Sequence, residues 1–489
     1  MNEQTPIEPS EELPETFYGK NYGRVPTGAP KHKIMSYEEM LEADPGEIPP
    51  AAGAPGNYRP KPRRVSYDRY YDPDIAKLED EHIWAKYWLA AAREEDVPNV
   101  GDRITFDIRD KSYLIVRTSE NQIKAFRNTC LHRGRALCDH KGSGKEIRCP
   151  FHAWTYDLDG KLIWIPSEED FAVKASGSLG LSEVKCDSWG GHVFINADPD
   201  SPPLLDALGP LPELFKDFPL EDRYTVLWLQ LKVRANWKTI QEIFQEGYHV
   251  IETHWDSMAI FGETETSYDC WKYNDYGHVS RLVTPTGVPS GYFYDRVTIK
   301  QVVDQYVRLY CNQEPDPSRG NDLTDGRTYL ADIKRETLSR EYGVQVPEGN
   351  NARLLDFVKF CMFPNFHPWW GEQWPISYRF IPMGLNPEET LMEIRLTAPV
   401  PPGGERPRSV EPIVLDFGED CTGHPELAYT GHIVNQDAAH MEQLQRGMRS
   451  AAQDRSYSIL ANYQEQQITY WHETYDRVLG LDKRQQQDG

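Results

Sequence analysis

The chain has 489 residues, with 53 Lys and Arg against 76 Asp and Glu, a net charge of −23. That length excludes a disulfide-stapled miniprotein and leaves room for two or three domains with buried cores. The acidic excess disfavours nucleic acid or anionic lipid as a partner, and the longest apolar runs, such as Tyr113 to Val116, fall far short of the roughly 20 residues a membrane-spanning helix needs.

The opening MNEQTPIEPSEELPETF is acidic and lacks the apolar centre of a signal peptide, so residence in the cytoplasm is expected. In that compartment the eight cysteines are expected to be thiols, with metal or redox roles only where they cluster with histidine. Residues 1 to 65 are Pro-rich and without periodicity, which predicts an extended arm, either a free tail or a strap on a neighbouring subunit. Within it, Ser36 to Asp44 (SYEEMLEAD) carries an N-cap serine and predicts a helical turn or two before Pro45. Residues 66 to 96 contain PDIAKLEDEHIWAKYWLAAAR, Pro73 to Arg93, where Ile75, Leu78, Ile83, Trp84 and Trp88 recur at near-helical spacing. An amphipathic helix is expected to open the folded part there.

From 97 to 200 the texture changes to short β-rich runs, RITFDI, SYLIVRT, IKAFRN, WTYDLDGKL and GGHVFIN, with Asp-Leu-Asp-Gly as a hairpin signal. A small all-β domain follows. From 201 to 489, helical patterns (Lys238 to Glu252, Asp437 to Asp454, Asn462 to Val478) mix with strand-like YTVLWLQLKVRA, HVSRLVTP, EETLMEIRLTAP and RPRSVEPIVLDF. Strand and helix do not alternate regularly and no Gly-rich phosphate loop occurs, so the expectation is an α+β fold whose larger domain has an antiparallel sheet covered by helices.

Two constellations carry chemistry. The first is Cys130-Leu131-His132 and, after sixteen intervening residues, Cys149-Pro150-Phe151-His152. A Cys2His2 zinc site is open to these four donors. A mixed pair in each loop also suits a diiron cluster in which one iron takes both thiolates and the other both imidazoles. Cys138 and His140 lie between the loops without pairing to the second, and are expected to be loop residues. The second constellation, TIQEIFQEGYHVIETHWD, brings Glu242, Glu246, His249 and His254 within thirteen residues. Glu246 and His249, three apart, share a helical face. His249 and His254, five apart, are rotated by about 140° in a regular helix and cannot converge on one metal unless the helix distorts or ends. Two imidazoles plus a carboxylate from elsewhere form the non-haem Fe(II) arrangement.

CLHRG at Cys130 to Gly134 and CPFHAWTYDLDG at Cys149 to Gly160 resemble the Rieske [2Fe-2S] motif, with Ala153 where many members carry glycine. The second constellation resembles the catalytic domain of Rieske non-haem iron ring-hydroxylating oxygenases. The resemblance implies Cys130, His132, Cys149 and His152 as cluster ligands, and His249 and His254 as iron ligands. NQDAAHMEQ, Asn435 to Gln443, resembles the family's third-ligand segment and implies Asp437, with Asp416, Glu419 and Asp420 as rivals. Glu246 stands where the family usually has a bridging aspartate, which implies an electron path from the cluster through His152 of one subunit to Glu246 and His249 of the next.

The implied activity is insertion of oxygen from O2 into a substrate by hydroxylation, cis-dihydroxylation or O-demethylation. The resemblance also implies electrons from a separate ferredoxin and/or reductase, with NAD(P)H used only by the reductase. A homotrimer, with or without a small β subunit, is implied too. Aromatic residues between His254 and Trp374 (Trp255, Tyr268, Trp271, Tyr273, Tyr292, Phe293, Phe360, Phe363, Phe366, Trp369, Trp370) favour an apolar or aromatic substrate. Two other readings remain: a zinc-stabilised binding protein, or an electron-transfer protein without oxygenase turnover.

Overall fold

A computed structural model of the chain describes residues 36–176, 178–254, 262–291 and 297–481. The smaller domain is built on six strands in the order Leu89–Arg93, His192–Asn196, Glu183–Trp189, Gln122–Arg127, Lys111–Ser119 and Arg103–Ile108, antiparallel throughout. The run from Tyr113 to Val116 is apolar at every position because both faces of its strand are covered. Leu114 and Val116 join the core around Cys130 and Cys149, whereas Tyr113 and Ile115 join the main core. A second, three-stranded sheet (Ile147–Arg148, Thr155–Tyr156, Leu162–Trp164) contains the Asp-Leu-Asp-Gly hairpin, where Gly160 adopts φ +83°.

The larger domain holds eight strands in the order Ser267–Trp271, Val279–Thr284, Phe357–Met362, Phe366–Trp370, Ile376–Pro382, Thr390–Pro399, Arg223–Val233 and Ile413–Leu415. Pairing is antiparallel except for the last strand, which runs parallel to its neighbour. The helices Trp237–Ile243, Ala428–Ser450 and Gln466–Leu479 pack against this sheet. An α+β fold with a small β domain beside a helix-covered antiparallel sheet is thus the observed architecture.

Three boundaries differ from those expected. The helix expected over Pro73 to Arg93 ends early: Pro73–Glu79 is α-helical, Asp80–Trp84 forms a wider π-turn, and Leu89–Arg93 is a fully buried strand paired with His192–Asn196. Alanines with strong helix propensity are held in the sheet because both of their faces are covered, and tertiary burial outweighs local preference. The long helix starts at Ala428 rather than Asp437, since its first two turns contain Gly431, Ile433 and Val434, weak helix formers stabilised by packing.

The third difference is the arm. The part of the expected extended segment after residue 35 is packed on its own chain: Tyr37–Ala43 is a helix with a Ser36/Glu39 capping box, and its Tyr37, Met40 and Leu41 enter a core shared with Leu204, Leu208 and Trp271. Arg64–Ser66 then pairs with Tyr457–Ile459. Residues 1–35 of the arm lie outside the described residues.

A buried ion triad pins this segment. Arg327, 1% exposed, contacts Asp44 Oδ2 at 2.7 Å and Asp356 Oδ1 at 2.8 Å, while the Tyr37 hydroxyl donates to Asp356 Oδ2 at 3.0 Å. The two carboxylates hold the Arg327 guanidinium well above its ordinary pKa in spite of burial. Arg327→Met leaves both acids buried without a counter-charge, so it is expected to lower the unfolding free energy by about 3–5 kcal/mol. Denaturant unfolding measures this, and an unchanged midpoint would contradict it.

Candidate active site

The two Cys/His loops have the same backbone. In each, the cysteine carbonyl accepts from the N–H four residues on (Gly134 at 2.9 Å, Ala153 at 3.0 Å), and the cysteine N–H donates five residues on (Arg135 O at 2.8 Å, Trp154 O at 2.9 Å). Closing such a turn requires positive φ at the fourth position, +73° at Gly134 and +61° at Ala153. Ala153 therefore bears a left-handed backbone that glycine would adopt without strain.

Both cysteines are buried. Their histidines face each other, ring centroids 4.6 Å apart, and His132 stacks on Trp154 at 5.1 Å. The Tyr156 hydroxyl accepts from Leu131 N–H at 3.1 Å, so its own proton points at Cys130 Sγ, 3.3 Å away, as a metal-bound thiolate would require. His132 Nδ1 is buried without a hydrogen-bond partner. Two thiols, two imidazoles and an orphaned ring nitrogen fit a Rieske cluster. Cys138 lies in a loop held by Asn128, and His140 is exposed, as expected of loop residues.

The second constellation meets its geometric problem by breaking the helix. Trp237–Ile243, capped by the Asn236 side chain, stops at Phe244, and a single turn, Val250–Thr253, follows with His249 at its N-cap and His254 at its C-cap. The interruption thus begins before His249, earlier than the spacing alone suggested. His254, at φ −108° and ψ 41°, has left helical geometry, which turns its ring toward that of His249. From the facing helix comes Asp437. Its Oδ1 lies 3.2 Å from His254 Nε2 and 3.6 Å from His249 Nε2, close but outside hydrogen-bond geometry, and this buried oxygen has no hydrogen-bond partner.

The outer ring nitrogens are both engaged. His249 Nδ1 donates to Glu246 Oε1 at 2.7 Å and His254 Nδ1 to Gln436 Oε1 at 2.8 Å, which turns the Nε2 side of both rings toward Asp437. Glu246 Oε2 also accepts from the His249 N–H at 3.0 Å. Burial opposes charge on His249, yet the Glu246 and Asp437 carboxylates outweigh it and hold its pKa above the ordinary imidazole value. Among the described residues, His249, His254 and Asp437 form the group whose donor atoms close around one point, all within 4.8 Å of one another; the four loop donors do not form such a group. A buried carboxylate oxygen without a hydrogen-bond partner, facing the Nε2 atoms of two imidazoles, fits a divalent metal with open positions. Asp416, Glu419 and Asp420 are exposed and bonded to other groups.

A cavity of about 110 Å³ adjoins this triad. One wall is the helix side, with Phe244, Val250 and Ile433; the other is one face of the sheet, where Leu282, Lys359 and Trp369 stand directly opposite one another and Thr284 faces Phe357. Trp374 and Tyr378 complete it. Of the aromatics expected here, Trp369 lines the cavity; Tyr268, Trp271, Tyr273, Phe360, Phe363, Phe366 and Trp370 are packed elsewhere; Trp255, Tyr292 and Phe293 lie outside the described residues. Sequence reasoning missed Phe244, Phe357, Lys359, Trp374 and Tyr378. The lysine within Phe357–Met362, on the same face as Phe357 at period two, was the available signal, hidden because the other positions are apolar and both faces of that strand are buried. Burial pushes the Lys359 ammonium down to about 7, against the pull of Cys361, Glu246 and Asp437.

Glu242, one turn before Glu246, belongs to the interior. Its carboxyl accepts from the Tyr70 hydroxyl at 2.9 Å and contacts His472 Nε2 at 2.9 Å, and burial raises its pKa from 4.5 to about 8. The folded state therefore keeps a proton that the unfolded chain releases above pH 4.5, so this group's stabilisation is full below that pH and is lost as pH rises through 8. Glu242→Gln is expected to flatten the decline, so that wild type minus variant falls between pH 4.5 and 8 in denaturant unfolding. A constant difference would contradict the shift. Asp437→Ala is expected to lose the mononuclear iron while the visible spectrum of the cluster persists. Unchanged iron per chain would remove Asp437 from the triad.

Comparison with known proteins agrees with this geometry. A Rieske [2Fe-2S] domain model matches residues 87–179, and a ring hydroxylating alpha subunit (catalytic domain) model matches 220–481. The glycine betaine monooxygenase oxygenase subunit of Pseudomonas aeruginosa is 32% identical over 188 residues, 38% of this chain and 43% of that protein. The carnitine monooxygenase oxygenase subunit of Escherichia coli is 34% identical over 194 residues, covering 38% and 50%. The anthranilate 1,2-dioxygenase large subunit of Acinetobacter baylyi is 32% identical over 208 residues, covering 40% and 43%. The chain thus matches half or less of the length of these relatives. Among solved structures, a quaternary ammonium Rieske monooxygenase superposes with a TM-score of 0.60 at 18% identity, covering 85% of this chain and 95% of that one. Naphthalene 1,2-dioxygenase gives 0.57 at 19% identity, covering 85% and 92%, so the fold is shared. Because the catalytic-domain match alone spans more than half of the sequence, the chain belongs to the Rieske non-haem iron ring-hydroxylating oxygenases, as a large (alpha) subunit.

Proposed function

We propose that the chain is the terminal component of an oxygenase system, with Cys130, His132, Cys149 and His152 holding a [2Fe-2S] cluster and His249, His254 and Asp437 holding a mononuclear Fe(II). When bound, these groups supply stepwise electron delivery and a site for reducing O2 beside the substrate. The convergence of the His249 and His254 Nε2 atoms and a carboxylate oxygen of Asp437, all within 4.8 Å of one another, carries this reading. Zinc-stabilised binding and bare electron transfer are disfavoured, since the matching family models describe a [2Fe-2S] domain and an oxygenase catalytic domain.

The protein's own groups do three things in this scheme. Glu246 fixes the proton on His249 Nδ1 and so orients the ring; Gln436 does the same for His254. Asp437, on a separate helix, brings the third donor. The aromatic walls exclude water from the cavity and hold an apolar, aromatic or quaternary ammonium body. The named relatives support that breadth, because they include both a quaternary ammonium monooxygenase and a dioxygenase of an aromatic compound.

Electrons are proposed to cross between subunits. Leu131 and Phe151, at the cluster tip, are 44% and 56% exposed, and Tyr248, between Glu246 and His249, is 49% exposed. These two apolar patches lie on different domains and suit a head-to-tail contact that closes a ring, which supports a homotrimer with or without a small β subunit. The donor is a separate ferredoxin and/or reductase, with NAD(P)H used only by the reductase. No helix of the described residues is long and apolar enough to cross a membrane, and cytoplasmic residence remains part of the proposal.

Glu246→Gln is expected to leave both iron centres bound and to slow reoxidation of the reduced cluster, with substrate present, by roughly 10–100-fold, the usual effect of removing a carboxylate partner from a metal-bound histidine. Stopped-flow absorbance of the cluster reads it. Equal rates would remove Glu246 from the path.

A further inference from the structure

We propose that Lys359 determines substrate specificity, and that the substrate it selects is a small carboxylate with an apolar, aromatic or quaternary ammonium body. This rests on the oxygenase reading above and adds a chemical class to it. The observation behind it is an isolated charge. Lys359 is 2% exposed, lines the cavity beside the His249/His254/Asp437 triad, and has neither an ion pair nor a hydrogen-bond partner among the described residues.

Every other buried lysine or arginine among those residues has a carboxylate partner, as Lys238 has Glu79, Arg395 has Asp96 and Arg223 has Glu372. A buried ammonium without an acceptor is costly, and a structural role is poorly served by it. The acids whose field reaches Lys359, Glu246 and Asp437, lie beyond ion-pair reach of it; Glu246 is bonded to His249, and Asp437 faces the two imidazoles.

The position explains why the charge serves the cavity. Lys359 projects from the same sheet face as Phe357, directly across from Leu282 and Trp369, so its three donors share a wall with aromatic rings. Phe357, Trp369 and Trp374 meet edge-to-face at centroid distances of 5.9–6.1 Å. Rings so arranged present faces to a flat arene or to a quaternary ammonium. A molecule bearing a carboxylate at one end would satisfy Lys359 and set its other end against the rings.

The test is equilibrium binding to the purified holoenzyme by calorimetry, with two matched pairs: benzoate against benzamide, and glycine betaine against choline. In wild type, at least one carboxylate is expected to bind, and at least tenfold more tightly than its carboxylate-free partner. Lys359→Met is expected to abolish that preference with iron content and cluster absorbance unchanged, and Lys359→Arg to keep it. If Lys359→Met fails to retain iron, Lys359→Gln carries the same comparison. The inference is overturned if no carboxylate binds, if wild type binds both members of each pair equally, or if the neutral replacement keeps the preference. Binding is measured without turnover, so a protein that prefers carboxylates through Lys359 yet consumes no O2 would refute the oxygenase reading and leave this one standing.

Discussion

Two imidazoles five residues apart cannot face one ion from a continuous α-helix, and the larger domain is organised around that constraint. The helix stops at Phe244, and the chain crosses Glu246 and Gly247 before the single turn that carries both histidines. Two hydrogen bonds hold the crossing: the Gly247 N–H donates to the Tyr268 hydroxyl at 3.0 Å, and Glu246 caps the His249 N–H. A side chain at residue 247 would press on Thr266 Oγ1 at 3.3 Å, so glycine lets the crossing lie close to the neighbouring strand. Glu246 thus has two roles from one carboxylate, bonding the backbone N–H where the second turn begins and orienting the His249 ring at that turn's start.

Behind the site helix, a buried polar framework replaces what a purely apolar core would leave free to slide. Glu79, from the opening helix, accepts from Trp237 Nε1 at 3.0 Å and from the Tyr475 hydroxyl at 2.6 Å, and pairs with Lys238. Three elements distant in sequence are locked at one carboxylate. Such a cluster is a weak source of net stability, but breaking one partner strands the others in low dielectric, so it specifies position strongly. Trp237, wedged between Trp84 and Trp471 at 4.7 and 5.4 Å, adds shape to that specification.

How far the sequence foretold this depended on the range over which each signal acts. Cys130, His132, Cys149 and His152 were legible because their turns are local: hydrogen bonds four and five residues apart close each loop. His249, His254 and Glu246 were legible for the same reason. Asp437 was found through resemblance, since nothing near it says that its helix faces the histidines. The cavity walls were legible only as a segment, His254 to about Trp374, in which most of the aromatics were expected to be core and Trp369 lines the cavity. Phe360 and Lys359 are adjacent in sequence, but the pleat sends one to the core and the other to the cavity, and burial of the strand on both faces hides that alternation. Leu89–Arg93 was misread because Ala90, Ala91 and Ala92 favour a helix until a partner strand is present; the short helix after Ser36 was legible from its N-cap, but its packing on its own chain was not, because Arg327, its anchor, lies nearly three hundred residues away.

The central claim is that two kinds of iron centre share this chain, one in the paired loops and one where the broken helix meets Asp437. Diffraction from crystals of the freshly purified protein, with anomalous data collected on either side of the iron absorption edge, tests it most directly. The account predicts an iron peak between His249, His254 and Asp437, and a second, two-iron peak between the Cys130–His132 and Cys149–His152 loops. Peaks that persist below the iron edge and grow at the zinc edge, or no metal at either place after anaerobic iron reconstitution, would contradict it.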